Sequence, residues 1–162
     1  MKFEIYCDGS TRGNGKENAV GAWAWLVVEC HQEIIRKCGA EANTTNQRME
    51  LTAAAEALDY VVHNYISPFD RVIIYTDSAY LHNCYTQKWY KAWQVNGWKN
   101  SKKQPVANQD LWERLIPYFE QPEVEFVKVK GHAGIHYNEI VDTMAQTASA
   151  QLKEKIDANS SN

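Results

Sequence analysis

Four acidic residues of this chain occupy positions at which folding could bring their side chains together. Asp8 ends the alternating run "FEIYCD", Asp77 follows the apolar run "VIIYT", and Glu50 and Asp142 lie near the starts of helix-like segments. A carboxylate beside a core is costly unless a cation neutralises it, and clustered carboxylates raise one another's pKa. Magnesium, which binds oxygen ligands, would remove that cost. The acids are therefore candidates for a divalent-metal site.

Each acid also has a purely structural interpretation. Asp8 precedes Gly-Ser and is typical of a turn. Glu50 is typical of a solvated charge on the surface of a helix. Asp142 could simply stabilise the N-terminus of its helix. The spacing of any two of these acids is weak evidence, so their types and positions alone leave both interpretations open.

Two histidines have the i, i+4 spacing of a zinc-binding pair, His132 and His136 in "HAGIH". Gly131 and Gly134 argue against a helix there, and the sequence lacks both a HExxH glutamate and a cysteine partner. We therefore expect no zinc site. In a glycine-flanked loop, His132 is either a mobile proton-transfer group or a surface residue.

A basic segment suggests the chemistry of the partner. Residues 78–109 contain five lysines and no acidic residue, although the whole chain has a net charge of −3. Lysines attract phosphates, and the interleaved Trp89, Trp93 and Trp98 offer flat faces to sugars and bases. The alternative is an amphipathic helix with its tryptophans in the core, which we favour for Trp93. The charge asymmetry indicates a nucleic-acid partner.

Apolar periodicity predicts the elements that position these residues. Alternating or apolar runs predict strands at residues 2–8, 19–30, 32–40, 71–76 and 123–131. Helical spacing predicts helices at residues 43–65, 78–85, 108–120 and 138–156. Short connections make the first three strands an antiparallel meander, and the first helix allows strand 4 to run parallel to strand 1. The order is βββαβααβα, an α/β fold with a mixed sheet.

Capping residues, chain length and composition predict where helices begin, how many domains the chain has and where the protein is located. Thr44 with Gln47 resembles a capping box, and Asn108 is expected to cap the helix that follows it. The length predicts one domain, at residues 1–154, with a tail lacking regular structure at 155–162. No apolar run is long enough to span a bilayer, no signal peptide is apparent, and four scattered cysteines are typical of the reducing cytoplasm. We expect a cytoplasmic monomer that does not enter membranes.

Together these segments resemble the bacterial ribonuclease H type 1 family from Phe3 to about Ala148. The motifs are "YCDGSTRGN", "TTNQRMELTAAAEAL", "YTDSAYL", "NGWKNSKKQPVANQDLWERL" and "VKGHAGIHYNEIVDTMA". The resemblance implies an RNase H-like fold, a five-stranded mixed sheet flanked by helices, with strands 1–3 antiparallel and strands 4 and 5 parallel to strand 1. It also implies an endonuclease that hydrolyses the RNA strand of RNA–DNA hybrids and leaves 3′-hydroxyl and 5′-phosphate ends.

The resemblance implies a role for each acid by its motif position. Asp8 would bridge two magnesium ions, and Glu50, Asp77 and Asp142 would complete the catalytic and metal-binding set. One ion would lower the pKa of the attacking water and the other would stabilise the leaving oxygen. Mn²⁺ is expected to substitute for Mg²⁺. His132 would act in proton transfer and product release.

The resemblance also implies contacts to the RNA–DNA hybrid. The substrate-binding residues would be Asn14, Thr45, Asn46, Gln47, Trp89, Trp98 and Lys99. Asn14, Asn46 and Gln47 would line the minor groove of the hybrid, while Thr45 and Asn46 would form a phosphate pocket for the DNA strand. The Trp/Lys segment matches a basic protrusion of the family, with Trp89 near the DNA strand.

Several departures from the family pattern predict weaker hybrid binding with the chemistry retained. The turn "GNGKENAVG" lacks the prolines of the common "GNPGPGG". Ala79 replaces a glutamine expected to contact RNA, and Ala92 replaces an asparagine of the phosphate pocket. Residues 94–96, Gln-Val-Asn, stand where a basic run is common.

Two other functions are weighed against this interpretation. An integrase-like nuclease with the same fold would cleave DNA, but "VKGHAG" and the minor-groove asparagines argue against it. A binding module that has lost catalysis should lack at least one of the four acids, and all four are present.

Overall fold

The computed structural model describes residues 1–13, 16–67, 70–130 and 136–160. Its elements follow one another as β1 (Lys2–Arg12), β2 (Val20–Glu29), β3 (Gln32–Ala42), α1 (Asn46–Asn64), β4 (Arg71–Thr76), α2 (Ala79–Gln87), α3 (Trp89–Asn96), α4 (Gln109–Phe119), β5 (Val124–Lys128) and α5 (His136–Ser160). Within these ranges no helix is long and apolar enough to cross a membrane.

The strands form one mixed sheet in the order β3-β2-β1-β4-β5. β1 pairs antiparallel with β2, and β2 with β3, while β4 lies parallel to β1 and β5 lies parallel to β4. Cys30 and His31 join β2 to β3 with positive φ angles of 52° and 65°, which match the twist of a tight hairpin. The α1 crossover makes the β1–β4 pairing parallel. The predicted fold class and sheet topology are confirmed.

Helices cover both faces of the sheet because the strands alternate. Along β4, Val72 and Ile74 are buried in a large core shared with α1 and α4, which also contains the fully buried Trp112. On the opposite face, Tyr6 and Leu26 pack in a smaller cluster that includes residues of α5. Amphipathic helices on either side of a central strand bury both faces of β1.

Helix α3 is the main difference from the predicted order, which had two helices between strands 4 and 5. Lys88 and Gly97 adopt left-handed conformations at its two ends, with φ of 56° and 78°. These separate the eight-residue helix from α2 and from the hairpin that follows. Trp93 lies on α3 and packs half-buried against the large core, so the core interpretation of this tryptophan holds for its packed side only.

The cap of α1 differs from prediction, while Asn108 takes its predicted N-cap position at the start of α4. Thr45, not Thr44, caps α1, because the Thr45 hydroxyl oxygen accepts a hydrogen bond from the Arg48 N–H at 3.1 Å. Thr44 is instead buried. Asn108 makes no side-chain cap on α4; its side-chain oxygen accepts a hydrogen bond from Arg48 Nη1 at 3.3 Å. That bond and the cap at Thr45 fix the start of α1 against the start of α4.

Four elements run further than the sequence predicts, β1, β3, α2 and α5, and the differences are largest at β1 and α5. β1 continues to Arg12, because its pairing with β2 extends to Val20, although the residues after Asp8 are polar and typical of a turn. α5 begins at His136 and reaches Ser160, whereas a tail without regular structure was expected from residue 155. The division of the chain at residue 154 stays a prediction.

Candidate active site

Two of the four acids are brought together by the parallel pairing of β1 and β4. Tyr6 and Tyr75 are register partners on these strands, and their rings stack with centroids 4.8 Å apart. Asp8 and Asp77 each follow their tyrosine by two residues, Asp8 within β1 and Asp77 one residue beyond the end of β4. Both carboxylates therefore lie at the same edge of the sheet, next to the last residue of β4.

The third acid, Glu50, reaches this edge from α1 because Gly9 lets the helix approach β1. A Cβ atom on Gly9 would lie 2.6 Å from the Glu50 backbone nitrogen and 2.7 Å from the Met49 carbonyl carbon. Such distances are too short for any side chain, so only glycine permits this contact. The glycine after Asp8 thus serves close packing, and its N–H also donates a hydrogen bond to Asp8 Oδ1 at 2.9 Å.

Asp8, Glu50 and Asp77 form a compact cluster in which one oxygen from each lies within 4.8 Å of the others. Asp8 is 7% exposed and Glu50 is 5% exposed. Burial, followed by the charge of Asp77, raises the pKa of Asp8 to about 7. Burial and the charges of Asp8 and Asp77 raise the pKa of Glu50 well above its ordinary value. Without a cation, the cluster therefore retains protons near neutral pH.

The cluster fits a divalent cation. Glu50 Oε2 is buried and has no hydrogen-bond partner in the part of the chain that the structure describes. An unpaired buried carboxylate oxygen is costly, and a cation held jointly with Asp8 and Asp77 would satisfy it. Because the three groups are all carboxylates, the donor set suits a hard ion such as Mg²⁺.

The fourth acid, Asp142, faces the same cavity from α5. The cavity is lined by Asp8, Asp77 and Asp142 together with Val129 and Asn138. A hydrogen bond with Asp142 and its charge both contribute to the raised pKa of Asp8, so the two carboxylates are neighbours. Asp142 nevertheless lies outside the compact cluster of three. The structure thus brings Asp8, Asp77 and Asp142 to one cavity, and Glu50 joins Asp8 and Asp77 in the compact cluster.

Two residues that contact this group of acids or line its cavity were given no role in the sequence analysis. Cys7 also lines it, and burial, followed by the neighbouring carboxylate charges, raises the pKa of its thiol well above the ordinary value. Gln146 donates a hydrogen bond from Nε2 to Asp142 Oδ2 at 3.0 Å. Its i, i+4 spacing from Asp142 on a predicted helix was the available indication.

The expected minor-groove and phosphate contacts lie at the N-terminus of α1, the helix that carries Glu50. Thr45, Asn46 and Gln47 are all exposed there. Because the Thr45 oxygen accepts the capping hydrogen bond, its hydroxyl hydrogen can donate to an anion outside the helix. The N-terminal end of a helix favours negative charge, so this surface suits a phosphate.

The expected contacts on the basic segment are divided between two places. Trp89 and Lys99 line one groove of about 420 Å³ together with Trp93. Trp89 Nε1 donates to Gln87 Oε1 at 2.9 Å, which fixes its ring. Trp98 packs against Trp93, with ring centroids 5.7 Å apart, and therefore supports the groove without lining it.

A short hairpin after α3 presents the lysines. Lys99 forms an isolated antiparallel bridge with Pro105. Asn100 Oδ1 accepts hydrogen bonds from the backbone N–H groups of Lys102 at 2.9 Å and Gln104 at 3.0 Å. The side chains of Lys102 and Lys103 are exposed. The hairpin is therefore an ordered basic surface. Two expected site residues, Asn14 and His132, lie outside the described residues, as does the rejected zinc spacing that involves His132.

Comparison with known proteins gives one consistent family. A sequence profile of RNase H matches residues 1–150. A ribonuclease H of Syntrophomonas wolfei subsp. wolfei is 47% identical over 149 residues, which covers 91% of this chain and 96% of that protein. A ribonuclease H of Clostridium botulinum is 41% identical over 148 residues, covering 91% of this chain and 95% of that protein.

Solved structures share the fold. LC9-RNase H1, a type 1 RNase H with the type 2 active-site motif, matches with a TM-score of 0.74 and 30% identity, covering 93% of this chain and 72% of that one. A foamy viral protease-reverse transcriptase in complex with RNA/DNA hybrid matches with a TM-score of 0.76. Its identity is 19%, and the match covers 91% of this chain and 20% of that one. At that identity the viral structure indicates the fold alone.

Proposed function

The chain belongs to the RNase H family and is a ribonuclease H, a hydrolase that acts on the RNA strand of RNA–DNA hybrids. We propose that its acidic residues catalyse this reaction with bound metal ions. Cleavage uses two divalent ions held by Asp8, Glu50, Asp77 and Asp142. The products carry 3′-hydroxyl and 5′-phosphate ends. The observation that carries this proposal is the buried, unpartnered Glu50 oxygen inside a cluster of three carboxylates.

The carboxylates of this chain prepare the site for cations. Asp8 has a pKa of about 7 because of burial and the charge of Asp77, so its proton is lost readily when a cation takes the proton's place. When bound, such ions lower the pKa of the attacking water and stabilise the leaving oxygen. The all-oxygen donor set favours Mg²⁺, with Mn²⁺ as a substitute. Asp142, on α5, supplies a further carboxylate to the cavity that Asp8 and Asp77 line.

The remaining roles extend from this centre. Thr45, Asn46 and Gln47 are exposed at the start of the helix that carries Glu50. They bind the hybrid there, within one or two turns of α1 from Glu50. Trp89 and Lys99 line the groove of the basic segment and bind the hybrid, with Trp89 near the DNA strand. Further contacts are proposed for Asn14 and Trp98. His132 is proposed to transfer a proton and to assist product release.

The experiment that tests the site is cleavage of end-labelled RNA annealed to DNA in the presence of Mg²⁺. Wild type should cut hybrid RNA and leave duplex DNA and duplex RNA intact. Asp8→Asn should abolish cutting, while Asp157→Asn, on the exposed end of α5, should retain it as a matched control. Binding of hybrid without any cutting by wild type would favour a binding module, and cutting of duplex DNA would favour an integrase-like nuclease.

Hybrid affinity is proposed to be weaker than is usual for the family. Ala79 and Ala92 are both exposed, at positions where the family commonly has polar side chains that contact nucleic acid. Ala79→Gln and Ala92→Asn are expected to lower the Kd for hybrid, with kcat little changed. An unchanged Kd in both variants, measured by fluorescence anisotropy at fixed salt, would contradict this explanation.

A further inference from the structure

Gln146 is positioned to control the orientation of Asp142. The two residues are one helical turn apart on α5, and the side-chain amide of Gln146 donates to Asp142 Oδ2 at 3.0 Å. Gln146 is exposed and Asp142 is half-buried at the cavity. One carboxylate oxygen of Asp142 is therefore held by a neutral donor, while the Asp142 carboxyl group also shares a hydrogen bond with Asp8.

The backbone beneath Gln146 is itself tied to the strand that carries Asp8. Ser149 is fully buried, and its hydroxyl donates to the Gln146 carbonyl at 3.0 Å. The same hydroxyl oxygen accepts a hydrogen bond from Arg12 Nε at 3.4 Å. Arg12 ends β1, four residues after Asp8. This turn of α5 is thus fixed relative to the catalytic strand, which gives the Gln146 side chain a stable base.

Asp142 needs such support more than the other three acids do. One oxygen each of Asp8, Glu50 and Asp77 lies within 4.8 Å of the others. The close approach of α1 to β1 at Gly9 fixes this arrangement. Asp142 lies outside that cluster, and its side chain has several staggered rotamers available. Once the site is fully ionised and the hydrogen bond shared with Asp8 is lost, repulsion by Asp8 and Asp77 favours rotamers that turn the Asp142 carboxylate away from the cavity. A hydrogen bond that selects the inward rotamer opposes this tendency.

We propose that Gln146 is a positioning residue, which holds the Asp142 carboxylate toward the cavity so that it can bind a divalent cation. The inference rests on the proposed function, in which Asp142 is a metal ligand. An amide suits the role because it donates a hydrogen bond without neutralising the carboxylate that it orients. Groups that orient a metal ligand in this way commonly change metal affinity by 10- to 100-fold when they are removed.

Direct titration of the metal-free protein with Mn²⁺, without nucleic acid, tests the inference. Free Mn²⁺ is followed by electron paramagnetic resonance. Gln146→Leu removes the donor with little change in volume, and Gln146→Glu places a second carboxylate against Asp142. We expect affinity about tenfold weaker for the leucine variant. The glutamate variant also lacks the donor, but its added negative charge attracts the cation, so its loss should be smaller. Gln151→Leu, at another exposed position of α5, is the matched control and should bind as wild type does.

The result separates this inference from the proposed function. Because Gln146 is exposed, the melting temperature of metal-free Gln146→Leu should match that of wild type. Equal Mn²⁺ affinity in wild type and Gln146→Leu, with weaker binding in Asp8→Asn, would overturn the role of Gln146 and leave the metal site standing. An affinity that even Asp8→Asn leaves unchanged would overturn the proposed metal site itself.

Discussion

Replacing Asp77 with asparagine is expected to stabilise the metal-free protein at neutral pH while abolishing hybrid cleavage. Raising the pKa of Asp8 from 3.8 to about 7 corresponds to a folding cost of about 4 kcal/mol when the carboxyl is ionised. Burial is the larger cause and the Asp77 charge is the second. Removing that charge should recover roughly 1–2 kcal/mol, which raises the melting temperature of a domain of this size by about 2–8 °C.

The pH dependence identifies the cause. The folded pKa of Asp8 lies above the unfolded value, so the cost is absent at low pH, where the carboxyl is protonated in both states. It grows as the pH rises above about 4 and is complete above about 7. The stabilisation by Asp77→Asn should therefore be greatest above pH 7 and should nearly vanish near pH 4.

The assay is differential scanning calorimetry in EDTA between pH 4 and pH 8.5. Asp157→Asn, outside the cluster, is the control and should change little at any pH. Added Mg²⁺ should stabilise wild type more than Asp77→Asn, because the variant has lost a ligand. A lower melting temperature for Asp77→Asn at pH 8, or a gain independent of pH, would refute the crowded-carboxylate explanation.

Three further changes test how the fold supports the site. Cys30→Asn with His31→Gly should raise the free energy of unfolding by about 1 kcal/mol, and the urea midpoint with it, because both positions have positive φ. A lower midpoint would mean that the native side chains stabilise the turn. Gly9→Ala should cost more than about 2 kcal/mol and weaken Mn²⁺ binding, since its Cβ would lie 2.6 Å from a backbone nitrogen of α1; normal urea and Mn²⁺ titrations would contradict the packing argument. Lys102→Gln with Lys103→Gln should reduce the salt slope of hybrid binding by about one or two, with the saturated cleavage rate retained; an unchanged slope would place these lysines away from the phosphates.

The sheet and its topology could be predicted because strand alternation and connection length are both local properties of the sequence. The limits of the elements could not, because they depend on partners. β1 continues through a polar stretch to Arg12 only because β2 pairs with it as far as Val20. Likewise, α3 is separated from α2 by a left-handed Lys88, a residue type that does not normally mark a break.

The acids of the site were identifiable, but their arrangement was not. A sequence shows that Asp8 precedes a glycine, and the usual inference is a turn. The structure gives that glycine another purpose, the close approach of α1 that brings Glu50 to Asp8. Adjacent threonines show the same limit: both Thr44 and Thr45 could cap α1, and only the packed structure selects Thr45.

The crowding that makes this site costly in the metal-free protein is also what would give it affinity for a cation. Asp8 and Glu50 are buried among like charges, and a Glu50 oxygen has no partner among the described residues. Folding energy from the two cores on either side of the sheet must offset this cost before any metal binds. A cation then recovers it as binding energy. On this reasoning, variants that relax the cluster should stabilise the protein and weaken metal binding together, whereas Gln146→Leu should weaken metal binding with no gain in stability.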